Sequence, residues 1–251
     1  MLGWDKLKRL FILGSLSAVL PPVDAGAVDQ PSPVVIELFT SQGCGTCPAA
    51  DLFLAELAAR PGVIALGFHV DYWNYIGWSD PFGSKMATDR QREYEKYLGL
   101  RYVYTPQMVI NGAAEGVGSE RATILRLIDE AAADGRPRIG VYIVRHPGGQ
   151  LVAHLESGPA GEPATAWLVR FDREHVTQVP FGENEGLTLR DIHVVRTLKR
   201  LARWNGAAMD LDITAEANVG DGGLSVLVQL NNTGRIIGAG SIKASDEQIA
   251  H

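Results

Sequence analysis

Hydrophobic and polar positions alternate with two different periods along this 251-residue chain, and the period changes near residue 136. On the amino-terminal side, short apolar runs that predict buried strands alternate with segments whose apolar residues have helical spacing. On the carboxyl-terminal side, short segments of period-two alternation are separated by turn residues, which predicts antiparallel strands. We therefore predict an α/β domain over residues 28–135 and a mostly antiparallel, sandwich-like β domain over residues 138–251.

The amino-terminal pattern predicts the element order β-α-β-α-β-β-α. Strands are predicted at residues 34–39, 63–70 and 107–110, with a short return strand after the hairpin turn Asn111-Gly112. Helices are predicted at residues 49–59, 79–98 and 119–133. The second helix is predicted to start at Ser79-Asp80-Pro81, because a capping side chain followed by proline is typical of a first helical turn.

The carboxyl-terminal pattern predicts a series of short strands. They are expected at residues 139–144, 151–155, 166–171, 209–215, 224–230 and 236–242. The segment 192–204 has apolar residues at both helical and strand spacings, and we assign it as a strand because its neighbours are strands. Short strands separated by turn residues are the pattern of an antiparallel sandwich or barrel.

The two cysteines of the chain, Cys44 and Cys47, stand where the first strand gives way to the first helix. Unpaired N–H groups and the positive dipole end at a helix start stabilise a thiolate, the nucleophile of disulfide exchange. The pair is therefore a candidate redox site, with Cys44 attacking and Cys47 resolving. The alternative is a structural disulfide, although so short a bridge stabilises little. A structural zinc site would need further cysteine or histidine ligands at suitable spacing, and the sequence has none.

The amino terminus predicts export. Lys6, Lys8 and Arg9 precede an apolar stretch and Ala25-Gly26-Ala27 follows it, as in a cleaved signal peptide over residues 1–27. The apolar stretch is about half of the roughly 20 residues that span a bilayer, so no stable membrane span is expected after cleavage. The expected compartment is the periplasm or the exterior, where disulfides persist. The net charge of −6 argues against nucleic acid as a partner.

Several blocks of sequence resemble a known family. They include Ser41-Gln42-Gly43-Cys44, Phe68-His69-Val70-Asp71-Tyr72-Trp73, Tyr104-Thr105-Pro106-Gln107 and Gly182-Glu183-Asn184. Together with the element order, these blocks resemble a bacterial family of exported thioredoxin-like proteins catalogued as domain of unknown function 1223. The resemblance implies a thioredoxin fold in which Pro106 follows a cis peptide bond beside the cysteines and, with Thr105, docks the substrate backbone.

Three more residues are candidates near the dithiol. Glu37 lies within an apolar strand, where a carboxylate is costly unless it is paired or protonated. The resemblance to thioredoxins suggests that Glu37 accepts the proton of Cys47 with a raised pKa; the alternative is a strand-edge residue that faces solvent. Trp73 and Trp78 belong to an aromatic stretch that follows the second strand and should border the dithiol. They are expected to bind an apolar substrate segment or to pack at the domain junction.

The sequence thus predicts an exported thiol–disulfide oxidoreductase-like protein whose partners are protein thiols or disulfides, with no cofactor. One alternative is a partner-binding module in which Cys44 and Cys47 form a static disulfide. Another is a copper-handling protein in which His69 joins the two cysteines, as exported thioredoxin-like proteins can do. Arg90, on the second predicted helix, is expected to be solvated or ion-paired and is assigned no role.

Overall fold

The amino-terminal half has the predicted order of strands and helices. The computed structural model describes residues 32–159, 161–216 and 221–244, so the predicted signal peptide lies outside the described residues. The elements are β1 (Val34–Thr40), α1 (Pro48–Ala58), β2 (Val63–His69), α2 (Lys85–Leu98), β3 (Gln107–Ile110), β4 (Ala114–Val117) and α3 (Arg121–Ala132). The β3–β4 turn at Asn111-Gly112 has positive φ at both residues, as a type I′ hairpin turn requires.

The predicted start of α2 at Ser79 is wrong. The helix begins at Lys85, and Ser84 is its N-cap, with a side chain that accepts a hydrogen bond from the backbone N–H of Ala87. Asp80 does not cap a helix because its carboxylate binds His69 and the backbone N–H groups of Gln42 and Phe82. A capping signal was therefore present in the sequence, but it belongs to a loop held by tertiary contacts.

The carboxyl-terminal half consists mainly of strands. They are β5 (Val141–Arg145), β6 (Leu151–Leu155), β7 (Ala164–Gln178), β8 (Thr188–Trp204), β9 (Met209–Asp212), β10 (Gly223–Leu230) and β11 (Ile236–Lys243). The ambiguous segment 192–204 lies in β8, which confirms its assignment as a strand. Strands β7 and β8 are longer than their alternation predicts, since they pair with each other from Ala164↔Trp204 to Gln178↔Thr188.

One mixed sheet of eight strands contains elements from both halves. Its order is β11-β10-β7-β8-β2-β1-β3-β4, and β5, β6 and β9 form a separate three-stranded sheet. The two halves meet where β8 runs parallel to β2 at Gly67↔Val194. A Cβ on Gly67 would lie 3.2 Å from the carbonyl oxygen of Ile192, so glycine permits this close approach. The fold is therefore mostly β. The division into two domains near residue 136 stays a prediction, because strands from both sides of that residue belong to the same eight-stranded sheet.

The large sheet buries apolar side chains on both faces. On one face, Val35 and Phe39 of β1 share a core with Tyr94 of α2. On the opposite face, Ile36 and Leu38 share a core with α1 and α3. The small sheet packs against the β7, β10 and β11 end of the large sheet in a third apolar core, which gives this part the layered form of a sandwich. Within the described residues, the helices are too short and too polar to cross a membrane.

Candidate dithiol site

Cys44 and Cys47 form a disulfide at the amino-terminal end of α1. Cys47 is the N-cap residue of the helix and Pro48 is its first residue, which suits proline because that position needs no N–H partner. Gly45 and Thr46 are exposed, whereas Cys44 and Cys47 are 1% and 0% exposed. The bridge therefore lies just below a surface loop of the chain.

The four predicted binding residues surround this loop. The peptide bond between Thr105 and Pro106 is cis, as the family resemblance implied. Gly118 lies between Pro106 and the first turn of α1. A Cβ added to Gly118 would be 3.3 Å from the side chain of Pro106 and 3.1 Å from that of Ala50, so Pro106 is close to this turn.

Both tryptophans contact the same region through their indole nitrogens. Trp73 donates to the hydroxyl of Thr105 at 2.8 Å, and Trp78 donates to the side-chain oxygen of Gln42 at 3.1 Å. Trp73 also lies against Gly43, where an added Cβ would be 3.2 Å from the tryptophan Cβ. Both indoles are half-buried and have their polar atoms engaged.

Glu37 is buried, but the structure does not bring it to the cysteines. Its carboxylate pairs with Arg90 at 2.5 Å and accepts a hydrogen bond from the hydroxyl of Tyr94. Alternation along β1 directs Glu37 to the face that packs on α2, whereas α1 and Cys47 are on the other face. The expected proton transfer from Cys47 to Glu37 is therefore corrected, and Arg90 is a buried partner rather than a solvated residue.

A buried cluster of ionisable side chains lies on the α1 face instead. His69, at the end of β2, binds the carboxylate of Asp80 through Nδ1 at 2.7 Å, and its Nε2 is 3.9 Å from Asp191 on β8. The side-chain amide of Gln42 donates to Asp191 at 2.7 Å, which ties the cluster to the loop before Cys44. His69 is thus engaged by carboxylates on both ring nitrogens. In the described residues, no group of three or more side chains is arranged to hold a metal ion.

The charged groups of this cluster shift the pKa values of His69 and Asp51. Burial lowers the pKa of His69, but the charge and hydrogen bond of Asp80, together with the charges of Asp191 and Asp51, outweigh it and raise the pKa overall to about 9. Burial raises the pKa of Asp51, on α1, and the negative charge of Asp191 adds to this, so the pKa is about 7. His69 is consequently positive at neutral pH, and Asp51 exchanges a proton near neutrality.

Asp51 is the residue that sequence reasoning missed. Its backbone N–H bonds to the carbonyl of Cys47, one helical turn earlier, and residues at this spacing share a helix face. Asp51 also lines a cavity of about 190 Å³ together with Pro48, Leu52 and Leu189. The spacing from Cys47 was visible in the sequence, but the burial that shifts the pKa was not.

A loop from the carboxyl-terminal half covers the dithiol. Asn184, between β7 and β8, is 2% exposed and donates to the carbonyl oxygens of Gln42 at 2.8 Å and Cys44 at 3.0 Å. The neighbouring Glu183 accepts a hydrogen bond from the backbone N–H of Gly45 at 2.8 Å. We call residues 179–187 the cover loop.

Comparison with known proteins assigns a family. The profile of the family described as "Protein of unknown function (DUF1223)" matches residues 35–229. The chain belongs to the DUF1223 family. The matched residues include both cysteines of this DUF1223 chain, its buried cluster and its cover loop. Comparison of this DUF1223 chain with the curated proteins finds no match.

Two solved structures share the fold. The crystal structure of a protein from Agrobacterium tumefaciens is 31% identical, with a TM-score of 0.76 over 88% of this chain and 99% of that one. HBP35 of Porphyromonas gingivalis is 15% identical, with a TM-score of 0.56 over 86% of this chain and 76% of that one. The second likeness concerns the fold alone.

Proposed function

We propose that this DUF1223 chain is an exported thiol–disulfide oxidoreductase with a thioredoxin-like amino-terminal half, acting on protein thiols or disulfides. The observation that carries the proposal is the placement of its only two cysteines. They form a C-x-x-C disulfide at the start of α1, beside the cis Thr105-Pro106 bond and one helical turn from a buried acid whose pKa is about 7. A bridge serving stability alone would have no use for that acid.

In the reducing direction, the Cys44 thiolate attacks one sulfur of a substrate disulfide. The substrate S–S bond breaks, a mixed disulfide forms on Cys44, and one substrate thiolate leaves. Asp51 then accepts the proton of Cys47, whose thiolate attacks Cys44 and expels the second substrate thiolate. The substrate gains two electrons, the dithiol loses two, and the reverse sequence oxidises a substrate.

Substrate binding is proposed for the residues that surround the loop. Pro106 and Thr105 would position the substrate backbone beside Cys44, and the half-buried Trp73 and Trp78 would contact its apolar side chains. The Thr105 hydroxyl already accepts the Trp73 indole N–H, so this pair forms one rigid edge of the site.

Trapping of a mixed disulfide tests the proposal. Cys47→Ala, incubated with insulin or with scrambled ribonuclease, should accumulate an adduct on Cys44 that mass spectrometry identifies and dithiothreitol removes. The matched variant Cys44→Ala should accumulate none, because Cys44 is the proposed attacking thiol and Cys47 only resolves the adduct. Absence of an adduct with either substrate, together with absence of insulin reduction by the reduced wild-type chain, would reject the oxidoreductase.

A second candidate function is a partner-binding module with a static disulfide. The observation that favours it is the cover loop, which leaves Cys44 only 1% exposed and uses two carbonyls and an N–H of the cysteine loop. Thiol trapping of Cys47→Ala in cells separates the two functions, since an exchanging Cys44 is recovered in mixed disulfides with other proteins and a static bridge gives none.

A further inference from the structure

A cavity of about 250 Å³ lies far along the sequence from the cysteines, where the two halves of the chain meet. Its walls come from the β3–β4 hairpin, the end of α3, residues 134–138 and the start of β11. The halves are joined beside it by the backbone N–H of Ile236, which donates to the carbonyl of Asn111 at 2.8 Å. Ligand pockets occur preferentially at such junctions.

Three guanidinium groups line this junction cavity, those of Arg136, Arg138 and Arg235. Arg136 is neutralised by Asp134 at 2.7 Å. The remaining acid of the wall, Glu130, is engaged by Arg126 at 2.6 Å. Arg138 and Arg235 form no ion pair with any residue in the described part of the chain. In a chain of net charge −6, the wall of this cavity thus carries more guanidinium groups than carboxylates. Two of those guanidinium groups lack an ion-paired partner among the described residues, although Asp134 and Glu162 attract Arg235 from a greater distance.

The donors of these two arginines are incompletely used. Arg138 donates through Nη2 to the carbonyl of Pro33, but its Nε is buried and has no partner among the described residues. A buried N–H without a partner costs free energy, which a bound acceptor would recover. Burial lowers the pKa values of Arg138 and Arg235. At Arg138, the negative charge of Asp134 opposes this shift and the positive charge of Arg235 adds to it. At Arg235, the repulsion of Arg136 adds to the shift, and Asp134 and Glu162 oppose it. A bound anion would relieve that repulsion.

The rest of the wall is apolar. Ile110, Leu127, Ala131 and Ile236 contribute aliphatic surface beside the guanidinium groups. The volume lies below the range of about 300–1,000 Å³ typical of pockets for drug-sized ligands, so the occupant must be small. The carboxyl end of α3 places a partial negative charge near this cavity, which opposes anion binding. The two arginines without an ion pair act in the opposite direction.

We propose that the junction cavity binds a small organic anion, with its carboxylate or phosphate group between Arg138 and Arg235 and a short aliphatic body against Leu127 and Ile236. Guanidinium groups bind both head groups through paired N–H donors. This site is independent of the dithiol and of the function proposed for it.

Isothermal titration of the purified chain, with its disulfide intact, tests the proposal with three probes. Hexanoate and hexyl phosphate carry the two head groups, and 1-hexanol carries the same body without charge. We expect saturable 1:1 binding of at least one anion, weakened about tenfold or more in Arg138→Gln/Arg235→Gln. Arg200→Gln, which removes an exposed arginine of β8 that does not line the cavity, should bind as the wild type does.

Comparison of the two anions identifies the head group. Absence of saturable binding by both anions would overturn the proposal, as would equal binding of 1-hexanol or unchanged binding by the double variant. If the double variant fails to fold, Arg235→Gln alone serves, because the side chain of Arg235 makes no hydrogen bond or ion pair within the described residues. Its circular dichroism spectrum should match that of the wild type.

Discussion

The side-chain amide of Asn184 donates a hydrogen bond to the carbonyl oxygen of Cys44 at 3.0 Å, across 140 residues of sequence. The same amide also binds the carbonyl of Gln42, and Glu183 binds the N–H of Gly45. Three hydrogen bonds therefore connect the cysteine loop to a segment of the carboxyl-terminal half. An exchange reaction requires these bonds to open, which makes the cover loop part of the proposed chemistry.

Asn184→Ala should accelerate reduction of the Cys44–Cys47 disulfide by dithiothreitol. The substitution removes two hydrogen bonds that hold the covered state, each worth about 0.5–1.5 kcal/mol, so an increase of roughly tenfold in rate is expected. Timed alkylation followed by mass spectrometry measures the rate. Asn232→Ala, in the exposed β10–β11 turn, is the control and should leave the rate unchanged. Equal rates in all three proteins would show that the cover loop does not limit access.

Asp51→Asn should slow the resolving step selectively. The reduced chain reacts with the chromogenic disulfide dithiobis(nitrobenzoate) in two phases, as Cys44 attacks and then as Cys47 resolves the mixed disulfide. We expect the second phase to slow by about 10²-fold and to lose its rise through pH 7, because general-base assistance to Cys47 is removed.

The first phase in Asp51→Asn should stay within a few-fold of the wild type. Asp89→Asn, on the exposed side of α2, is the matched control and should alter neither phase. If the second phase keeps the wild-type pH profile in Asp51→Asn, a group other than Asp51 accepts the proton of Cys47.

The charged state of His69 should make stability fall at alkaline pH. Its pKa is about 9 in the folded chain, against 6.5 for an unperturbed histidine, so the folded state keeps a proton that the unfolded state releases. The resulting stabilisation is fully present below pH 6.5 and is lost as pH rises through 9. Urea unfolding should show a loss on the order of 3 kcal/mol between pH 7 and 9.5.

The raised pKa of Asp51 acts in a different window. Because the folded pKa of this carboxyl exceeds its ordinary value of 3.8, the chain loses stability as pH rises from about 3.8 through about 7. Most of this loss therefore lies below the interval from pH 7 to 9.5, in which His69 titrates. His69→Gln should therefore remove most of the decline between pH 7 and 9.5. A decline of the same size in His69→Gln would refute the assignment.

Glu37→Gln should destabilise the chain without altering the dithiol. It leaves the buried guanidinium of Arg90 without its counter-ion, and breaking a buried ion pair in this way costs about 3–5 kcal/mol. Urea unfolding measures the loss, and equilibration with glutathione measures the reduction potential, which should stay at the wild-type value. Glu56→Gln, which breaks an exposed pair with Arg121, should have little effect on stability. A shifted potential in Glu37→Gln would restore the role in proton transfer.

Local order in the chain was largely predictable from its pattern. The strand β1, the helix α1 and the turn Asn111-Gly112 follow from periodicity and backbone preference, which act over a few neighbouring residues. The start of α2 was not predictable, because Ser79 and Asp80 have the residue types of a cap while Asp80 is recruited by His69.

Local sequence pattern was sufficient to predict the alternation of elements, the position of the dithiol before α1 and the aromatic stretch that follows β2. The partners of the buried charges depend on tertiary packing. Glu37 meets Arg90 because β1 alternates between two faces, and Gln42 meets Asp191, 149 residues away, because β8 joins the sheet next to β2. Strand order is a global property of packing, so no local pattern shows which distant carboxylate lies beneath the cysteines.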